Sequence, residues 1–436
     1  MHIVSSTRPA DSRADTTRRI RGNTTMASKA SPKAASRHGA AKVYDFDRIY
    51  DRRQFGSVKW ANQWDEFSPR VEGENLLSLW TADMDFRAPE TVIERLREAV
   101  NHGIYGYTRR DPRHYEIVRA WFERRHGWAP ALESLLPAPA IMPAVAVILR
   151  TFTKPGDGVI VQTPVYSPYF EVVRGNQRTL LTNRLLLRDN RYEPDLDDFE
   201  RLAANGAKVF LLCNPHNPAG KAWTREELEA LNDICARYGL LVISDDIHCD
   251  IRLSTLPHVV FSSISEDAAD RSFICTAPTK TFNLAGVPSA TLSVANKARR
   301  EALLFAMQTS FMVNANYFGR LALETAYSTG DQWVDQATIY IGENVRLVRE
   351  FALAHLPGIT PMLPETSFLV WLDARELDRK VDGIQRFFVE NAGVNLYDGR
   401  VYGPGGEGFI RLNVGCPKSI LQSGLQRMSD ALSSRK

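Results

Sequence analysis

The chain has 436 residues, of which 44% are hydrophobic and 24% charged, and its formal net charge is only +3. This length and composition are typical of a globular protein with one large and one smaller domain. The sequence has no basic stripe with interleaved aromatic residues and no apolar run long enough to span a membrane, so we expect neither a nucleic acid partner nor membrane insertion.

The first 42 residues form a basic segment without apolar periodicity, and we predict that this tail is disordered. Its cations include Arg18, Arg19, Arg21, Lys29, Lys33 and Arg37. An arginine-rich segment is also typical of a transit peptide, although Asp11 and Asp15 argue against that interpretation. A start of the native protein at Met26 is a further alternative.

A strand, a helix and a second strand are predicted between residues 208 and 250. The two apolar strands run into polar residues in the sequences KVFLLCNPHNPAG and LLVISDDIHCD. The helix between them is predicted to begin with a capping box of Thr224 and Glu227 and to end at a left-handed Gly239. Such a unit predicts parallel strands whose carboxyl ends share one edge of a sheet. We therefore expect Asn217 and Asp245 to lie close together.

The segment APTKTFNLAG (277–286) places Lys280 between two threonines, just after the apolar run 273–275. A lysine that is partly shielded from water at a strand end has its ammonium form disfavoured, so more neutral amine is available to condense with an aldehyde. Thr279 and Thr281 are candidates to hold a phosphate. On this segment alone, an ordinary surface lysine is the alternative.

Lys280, Asp245 and Asn217 together have the chemical types that a pyridoxal 5′-phosphate (PLP) pocket needs. A carboxylate such as Asp245 is suited to pair with the pyridinium nitrogen and keep it protonated, which makes the ring an electron sink. The amide of Asn217 is suited to donate to the phenolate oxygen of the ring.

The run SDDIHCD admits a rival interpretation, a metal site formed by Asp245, Asp246, His248 and Asp250. Alternate residues of a strand face opposite sides, and the sequence offers no second cluster of histidines for the remaining ligands. We therefore predict no metal.

Seven motifs in the same order resemble those of fold type I PLP enzymes, and more closely those of the MalY/PatB cystathionine beta-lyase family within the aminotransferase class I and II superfamily. They are WTADMDF (80–86), YGYTR (105–109), TPVYSPYF (163–170), NPHNPAGKAWT (214–224), SDDIHCD (244–250), APTKTFNLAG (277–286) and FIRLNVGCP (409–417). The resemblance covers nearly everything from residue 43 to the end. It implies an α/β fold with a large, mostly parallel sheet flanked by helices, plus a smaller α/β domain.

The resemblance also implies which residues bind PLP. Lys280 would be both the Schiff-base lysine and the catalytic base, with Asp245 on the ring nitrogen and Asn217 on the ring oxygen. Further cofactor contacts are expected from Tyr107, Ile141, Met142, Tyr166, His248 and Thr279.

Three of these cofactor contacts have alternatives. Tyr166 is expected to stack on the ring and is otherwise a core aromatic residue. His248 is expected beside the cofactor or hydrogen-bonded to Asp245, and is otherwise a satisfied core histidine. The amides of Ile141 and Met142 would meet the phosphate at a helix start, although the family usually has glycine where this chain has Ala140.

Tyr107 resembles the tyrosine that reaches the cofactor phosphate of the neighbouring subunit. This implies a homodimer in which each site is completed across the interface, whereas the alternative is an interface or core tyrosine without a ligand contact.

Substrate contacts are expected from Arg411, Asn217 and Tyr166. Arg411 matches the arginine that binds the α-carboxylate of an amino acid, and its planar fork suits two parallel hydrogen bonds. A buried structural salt bridge is the alternative for this residue. The side chain of Asp85 is expected to be structural.

The family pattern favours β-elimination from cystathionine or related cysteine conjugates, with release of thiol, pyruvate and ammonia. Histidine rather than tyrosine in DDIH is similar to the lyase branch, although Asp246 stands where relatives commonly have glutamate. An aminotransferase on the same scaffold and a MalY-like regulatory binding protein remain alternatives. Five cysteines without paired spacing predict reduced thiols and a cytoplasmic protein.

Domain boundaries follow from the order of the motifs. Residues 43–85 are expected to pack on the small domain, residues 86–315 to form the PLP-binding domain, and residues 316–436 to form the small domain. The active site is then expected between the two domains.

Overall fold

The computed structural model describes residues 43–60, 76–108, 111–313, 316–377 and 383–434. These residues belong to one compact unit. The predicted disordered tail, with Met26, lies outside the described residues, and the domain boundaries at residues 85 and 315 stay predictions. No helix of the described ranges is both long and apolar enough to cross a membrane.

Twelve α-helices lie in the described part of the chain. In chain order they are α1 (Glu90–His102), α2 (Pro112–His126), α3 (Ile141–Phe152), α4 (Pro168–Gly175), α5 (Leu196–Ala204), α6 (Arg225–Tyr238), α7 (Glu266–Arg271), α8 (Lys297–Thr309), α9 (Tyr317–Thr329), α10 (Asp331–His355), α11 (Ile384–Ala392) and α12 (Lys418–Ser433).

The strands of the described ranges form two larger sheets and two short pairs. In chain order they are β1 (Leu77–Ser78), β2 (Leu135–Ala138), β3 (Gly158–Thr163), β4 (Thr179–Arg184), β5 (Leu186–Arg188), β6 (Arg191–Glu193), β7 (Ala207–Cys213), β8 (Leu241–Asp245), β9 (Ser272–Thr276), β10 (Ala290–Ser293), β11 (Thr360–Met362), β12 (Leu369–Asp373), β13 (Val394–Asn395), β14 (Tyr397–Asp398) and β15 (Phe409–Asn413).

The large sheet has seven strands in the order β2-β10-β9-β8-β7-β3-β4. Its strands run parallel except β10, which is antiparallel to both of its neighbours. Alternate residues of β7 enter separate buried clusters, with Phe210 and Leu212 on one face and Val209 and Leu211 on the other. Helices therefore cover both faces, which explains why the strands are continuous apolar runs. This architecture confirms the predicted α/β fold.

The predicted strand, helix and strand are β7, α6 and β8. Thr224 and Glu227 form the reciprocal capping box at the start of α6, and Gly239 ends the helix at a φ of 69°. In the parallel register Asp245 lies opposite Cys213 on one side and Cys275 on the other. The residues that follow these three strands therefore meet at one edge of the sheet, as predicted.

A second, antiparallel sheet has the order β11-β12-β15-β14 and consists of residues after 359. Trp371 of β12 lies opposite Arg411 of β15, which places Arg411 in the centre of this sheet. The N-terminal strand β1 pairs in parallel with β13, which lies just before β14 in the chain. Lys280 thus follows a strand of the seven-stranded sheet, whereas Arg411 lies on an inner strand of the four-stranded sheet.

Candidate active site

A cavity of about 210 Å³ opens at the carboxyl edge of the seven-stranded sheet. Its wall contains eight of the predicted site residues, namely Ile141, Met142, Tyr166, Asn217, Asp245, His248, Thr279 and Lys280. These residues come from five separate stretches of chain, which the parallel strands bring to one place.

Lys280 lies in the turn after β9, and its Nζ donates to the carbonyl oxygen of Ala82 at 2.5 Å. Burial lowers the pKa of Lys280 to about 8, and the positive charge of Arg411 adds to this lowering. Asp83 and Asp245 oppose it. The neutral amine is therefore far more populated near neutral pH than in an ordinary lysine, as predicted from the strand-end position.

Asp245 is the last residue of β8 and is only 5% exposed. The hydroxyl of Tyr169 donates to its Oδ2 at 2.9 Å, and the amide of Ile247 donates to its Oδ1 at 3.2 Å. Burial nevertheless raises the pKa of Asp245 to about 6. Within the described ranges no cation forms an ion pair with this carboxylate, so it is suited to receive a cationic ligand group.

The Tyr169 contact was missed by sequence reasoning. Tyr166 and Tyr169 are three residues apart in TPVYSPYF, and their rings meet edge to face with centroids 5.7 Å apart. Such spacing places two side chains on one side of a helical turn, which was the available signal. Tyr166 lines the cavity, whereas Tyr169 lies behind it and holds Asp245.

Arg411 does not line the cavity itself but reaches it through Asn217. Its Nη1 donates to Oδ1 of Asn217 at 3.0 Å and its Nη2 donates to the carbonyl oxygen of Trp80 at 2.9 Å. The guanidinium also lies over the rings of Tyr397 and Tyr402. Arg411 is 2% exposed, and its buried Nε has no hydrogen-bond partner among the residues that the structure describes.

The alternative of a buried salt bridge for Arg411 is wrong for the described part of the chain, because its guanidinium forms no ion pair there and donates to two neutral acceptors. A buried cation without an anion is well suited to bind a carboxylate. Asp85 differs, since it forms ion pairs with Lys59 and Arg52. Its structural role was predicted.

Helix α3 starts at the cavity wall. Its first residues are Ile141 and Met142, and Ala140 at the N-cap makes no side-chain cap. The first amides of a helix have no partner within it, so those of Ile141 and Met142 are suited to donate to an anion. Thr279 lines the same cavity, but Thr281 does not, because its hydroxyl donates to Asp250 at 2.6 Å. Thr281 as a phosphate ligand was therefore a wrong expectation.

His248 lines the cavity but does not hydrogen-bond to Asp245, so that alternative is also wrong. Its Nδ1 lies 3.0 Å from Oγ of Ser367, a contact that sequence reasoning missed. Burial and the charges of Lys280 and Arg411 lower the pKa of His248 to about 3, so the imidazole is neutral at physiological pH.

The four residues of the rival metal interpretation do not converge, because β8 ends at Asp245 and a turn follows. Asp246 contacts His258 at 2.8 Å, and Asp250 contacts His126 at 2.7 Å. A different group, His126, Cys249 and Asp250, brings its ligand atoms within 4.8 Å of one another. Both oxygens of Asp250 already accept hydrogen bonds from Trp121 and Thr281. The absence of a metal stays a prediction.

Tyr107 lies outside the cavity and is fully exposed. Ile104 and Tyr105 beside it are also exposed apolar residues, with relative exposures of 70% and 54%. The role predicted for Tyr107 in a neighbouring subunit is therefore not tested by a single chain.

The residues of the cavity fit PLP. The buried carboxylate of Asp245 is suited to pair with a ring nitrogen, and Lys280, with its lowered pKa, is suited to react with an aldehyde. The amides at the start of α3 are suited to bind a phosphate. Arg411 beside Asn217 supplies the group that an amino acid carboxylate requires.

Comparison with known proteins agrees with this fit. Residues 74–428 match the family model described as aminotransferase class I and II. The chain is 40% identical to the cystathionine beta-lyase PatB of Bacillus subtilis (strain 168), over 89% of this chain and 100% of PatB.

Two solved structures are similar along nearly the whole chain. Cystalysin from Treponema denticola, which contains a pyridoxal 5′-phosphate cofactor, is 33% identical with a TM-score of 0.86, over 91% of this chain and 100% of cystalysin. The PLP-bound C–S lyase from Staphylococcus hominis is 29% identical with a TM-score of 0.81, over 90% of this chain and 100% of that lyase.

Proposed function

The chain belongs to the aminotransferase class I and II family, and we propose that it is a PLP-dependent carbon–sulfur β-lyase acting on cystathionine or related cysteine S-conjugates. The observation that carries this proposal is the 40% identity with a cystathionine beta-lyase over the full length of that enzyme. The cavity adds the chemistry, because Lys280, Asp245 and the pair of Asn217 and Arg411 meet there.

The residues of the chain have separate tasks in this reaction. Arg411 binds the α-carboxylate of the substrate, with Asn217 and Tyr166 beside it, and so orients Cα towards Lys280. Lys280 removes the proton from Cα, for which a base with a pKa near working pH is efficient. When bound, PLP accepts the electron pair that remains at Cα.

Cofactor contacts are assigned to the residues of the cavity wall. Asp245, held by Tyr169, would pair with the ring nitrogen, and Asn217 and His248 would contact the ring oxygen. Tyr166 would stack on the ring. The amides of Ile141 and Met142 and the hydroxyl of Thr279 would hold the phosphate.

The overall reaction balances with water. The bond between Cβ and sulfur breaks and the electron pair leaves with the thiolate, which takes up a proton. One water molecule then converts the remaining three-carbon fragment into pyruvate and ammonium. An aminotransferase would retain the Cβ substituent and require a keto acid as the second substrate.

The first test is to mix the protein with L-cystathionine without a keto acid and to assay pyruvate and free thiol. Equal release of both supports the lyase. Amino transfer that depends on an added keto acid, without pyruvate release, favours the aminotransferase instead. Absence of a visible cofactor band after addition of PLP contradicts both functions.

Loading with PLP is expected to accelerate with pH until about pH 8, the pKa of Lys280. Only the neutral amine attacks the aldehyde, and with this pKa roughly one tenth of Lys280 is neutral at pH 7. The measurement is the rate at which visible absorbance appears when the PLP-free protein is mixed with PLP at different pH values. A rate that still rises about tenfold per pH unit above about pH 9 would indicate an unshielded lysine.

We further propose a homodimer in which Tyr107 completes the neighbouring site. Support comes from the full exposure of Tyr107 beside the exposed apolar residues Ile104 and Tyr105. A surface with several exposed aromatic and aliphatic side chains is typical of an interaction site. In this arrangement the hydroxyl of Tyr107 donates to the phosphate of the partner's cofactor.

Tyr107→Phe is expected to weaken PLP binding by about tenfold or more, because a hydrogen bond to a charged group contributes about 1.5–3 kcal/mol. The dissociation constant is measured by titrating PLP into cofactor-free protein. Tyr105→Phe is the matched control, since Tyr105 donates to a carbonyl oxygen of its own chain, that of Val100. Equal PLP affinity in the two variants would remove Tyr107 from the site.

We also propose a cytoplasmic location and two domains with the site between them, both of which are consistent with this function. A MalY-like regulatory role is a second candidate only if a function survives the loss of Lys280.

A further inference from the structure

The segment between β11 and β12, residues 363–368, does not line the cavity but contacts one of its wall residues, because Oγ of Ser367 lies 3.0 Å from Nδ1 of His248. The amides of Glu365 and Thr366 both donate to the carbonyl oxygen of Gly220 at 2.9 Å, and the amide of Ser367 donates to that of Ile251 at 2.7 Å. This segment is therefore fixed to the two loops that follow β7 and β8.

The backbone of residues 364–366 approaches Gly220 closely. Gly220 has a φ of 64°, and a Cβ at this position would lie 2.5 Å from Cβ of Pro364 and 2.6 Å from the carbonyl oxygen of Thr366. Only glycine allows the two backbones to approach this far. Backbone contacts therefore hold residues 364–367 in place beside the loops that follow β7 and β8.

Ser367 has a φ of 72°, in the left-handed region that non-glycine residues rarely adopt. This conformation directs its hydroxyl to Nδ1 of His248 at 3.0 Å. Ser367 is 3% exposed and His248 is 6% exposed, so water does not compete for the contact. A strained backbone retained beside a site points to a functional constraint.

A neutral imidazole carries one N–H, and its tautomer is set by the partner of the other nitrogen. Ser367 Oγ makes no other hydrogen bond within the part of the chain that the structure describes, so its proton is available to Nδ1. His248 Nε2 likewise has no partner among the described residues, while the side chain lines the cavity. Nε2 then carries the proton and is a donor.

We propose that Ser367 is a positioning residue, whose hydroxyl donates to Nδ1 of His248 and fixes this imidazole as an Nε2–H donor towards the ring oxygen of the cofactor. The inference rests on the proposed binding of PLP. It extends the site to the second sheet, because Ser367 lies two residues before β12, which pairs with the strand of Arg411.

Histidine tautomers are read first, by nitrogen NMR of the full chain labelled on its nine histidines. The His248 signal is identified by its loss in His248→Gln. The wild-type protein is expected to show the Nε2–H form, and Ser367→Ala to lose this preference. An Nδ1–H form in the wild type, or an unchanged tautomer in Ser367→Ala, overturns the proposal. This readout requires neither substrate nor turnover, so it is separate from a failure of the lyase assay.

The second readout is the pH titration of the visible absorbance of the PLP-loaded protein. A hydrogen bond from Nε2–H of His248 to an anionic ring oxygen favours the anion. Ser367→Ala and Ser367→Gly are both expected to weaken this bond and therefore to raise the apparent pKa of the titration by about one unit. Ser367→Gly keeps the left-handed backbone without strain. Thr366→Val is the matched control, because its hydroxyl donates to Gly220 instead. If the apparent pKa shifts in Ser367→Ala but not in Ser367→Gly, or shifts equally in Thr366→Val, the effect comes from the backbone and the proposal is overturned.

Discussion

Lys280→Ala is expected to abolish β-elimination, with a fall in kcat of at least about 10⁴-fold, since a positioned base contributes about 10²–10⁴-fold and this lysine is also proposed to attach the cofactor. The physical reason is the placement of its amine in the cavity with a pKa lowered to about 8. The measurement is pyruvate release from L-cystathionine at saturating PLP.

Lys208→Ala is the matched control for this loss. Lys208 lies on β7 of the same sheet but is exposed, and its replacement removes the same charge. The control is expected to retain wild-type turnover and to melt at a similar temperature. Residual activity of Lys280→Ala within tenfold of the wild type would remove Lys280 from the reaction.

Lys280→Ala also separates the enzyme from a regulatory binding protein. The substitution removes a cavity side chain and leaves the exposed surface of the chain unchanged. A cellular effect of the protein that persists in this variant would support a regulatory role independent of catalysis.

Asp245→Asn is expected to lower kcat/KM by about 10³-fold. The substitution keeps the shape of the side chain but removes the charge that we propose to pair with the ring nitrogen. Loss of one partner of a buried ion pair corresponds to about 3–5 kcal/mol, and each 1.36 kcal/mol is a factor of ten in rate. The measurement is kcat/KM for L-cystathionine with saturating PLP.

The same substitution is expected to stabilise the PLP-free protein at pH 8. Because the pKa of Asp245 is raised from 3.8 to about 6 in the folded chain, its carboxylate destabilises the fold above about pH 6, and this penalty vanishes as the pH falls below 3.8. The gain at pH 8 is at most about 3 kcal/mol.

Thermal unfolding of the PLP-free protein tests whether Asp245→Asn stabilises the fold. Asp245→Asn is expected to raise Tm at pH 8 and to leave it unchanged near pH 4. An asparagine would still accept from the amide of Ile247 and donate to the hydroxyl of Tyr169, so both present contacts can be retained. A lower Tm together with lost activity would indicate general damage rather than loss of the ring partner.

The elements around the site were predictable because their signals are local. The capping box of Thr224 and Glu227, the end of α6 at Gly239 and the apolar runs of β7 and β8 are properties of short stretches of sequence. Parallel strands then bring their carboxyl ends to one edge, which placed Asn217 and Asp245 together.

Only the tertiary structure decided which partners fix these residues. Tyr169 reaches Asp245 across 76 positions of the chain, and Ser367 reaches His248 across 119. No local pattern encodes such pairs, since they depend on how separate strands and loops pack.

The sequence by itself therefore determined the fold class and the chemical types at the sheet edge, because strand periodicity, caps and strand-end residues are written in short segments. The tertiary structure decided the charge state and orientation of those groups. Burial shifts the pKa values of Lys280 and Asp245, and neutral hydrogen-bond partners leave the charge of Arg411 available for a carboxylate. These properties arise from the exclusion of water and from long-range contacts, both of which exist only in the folded chain.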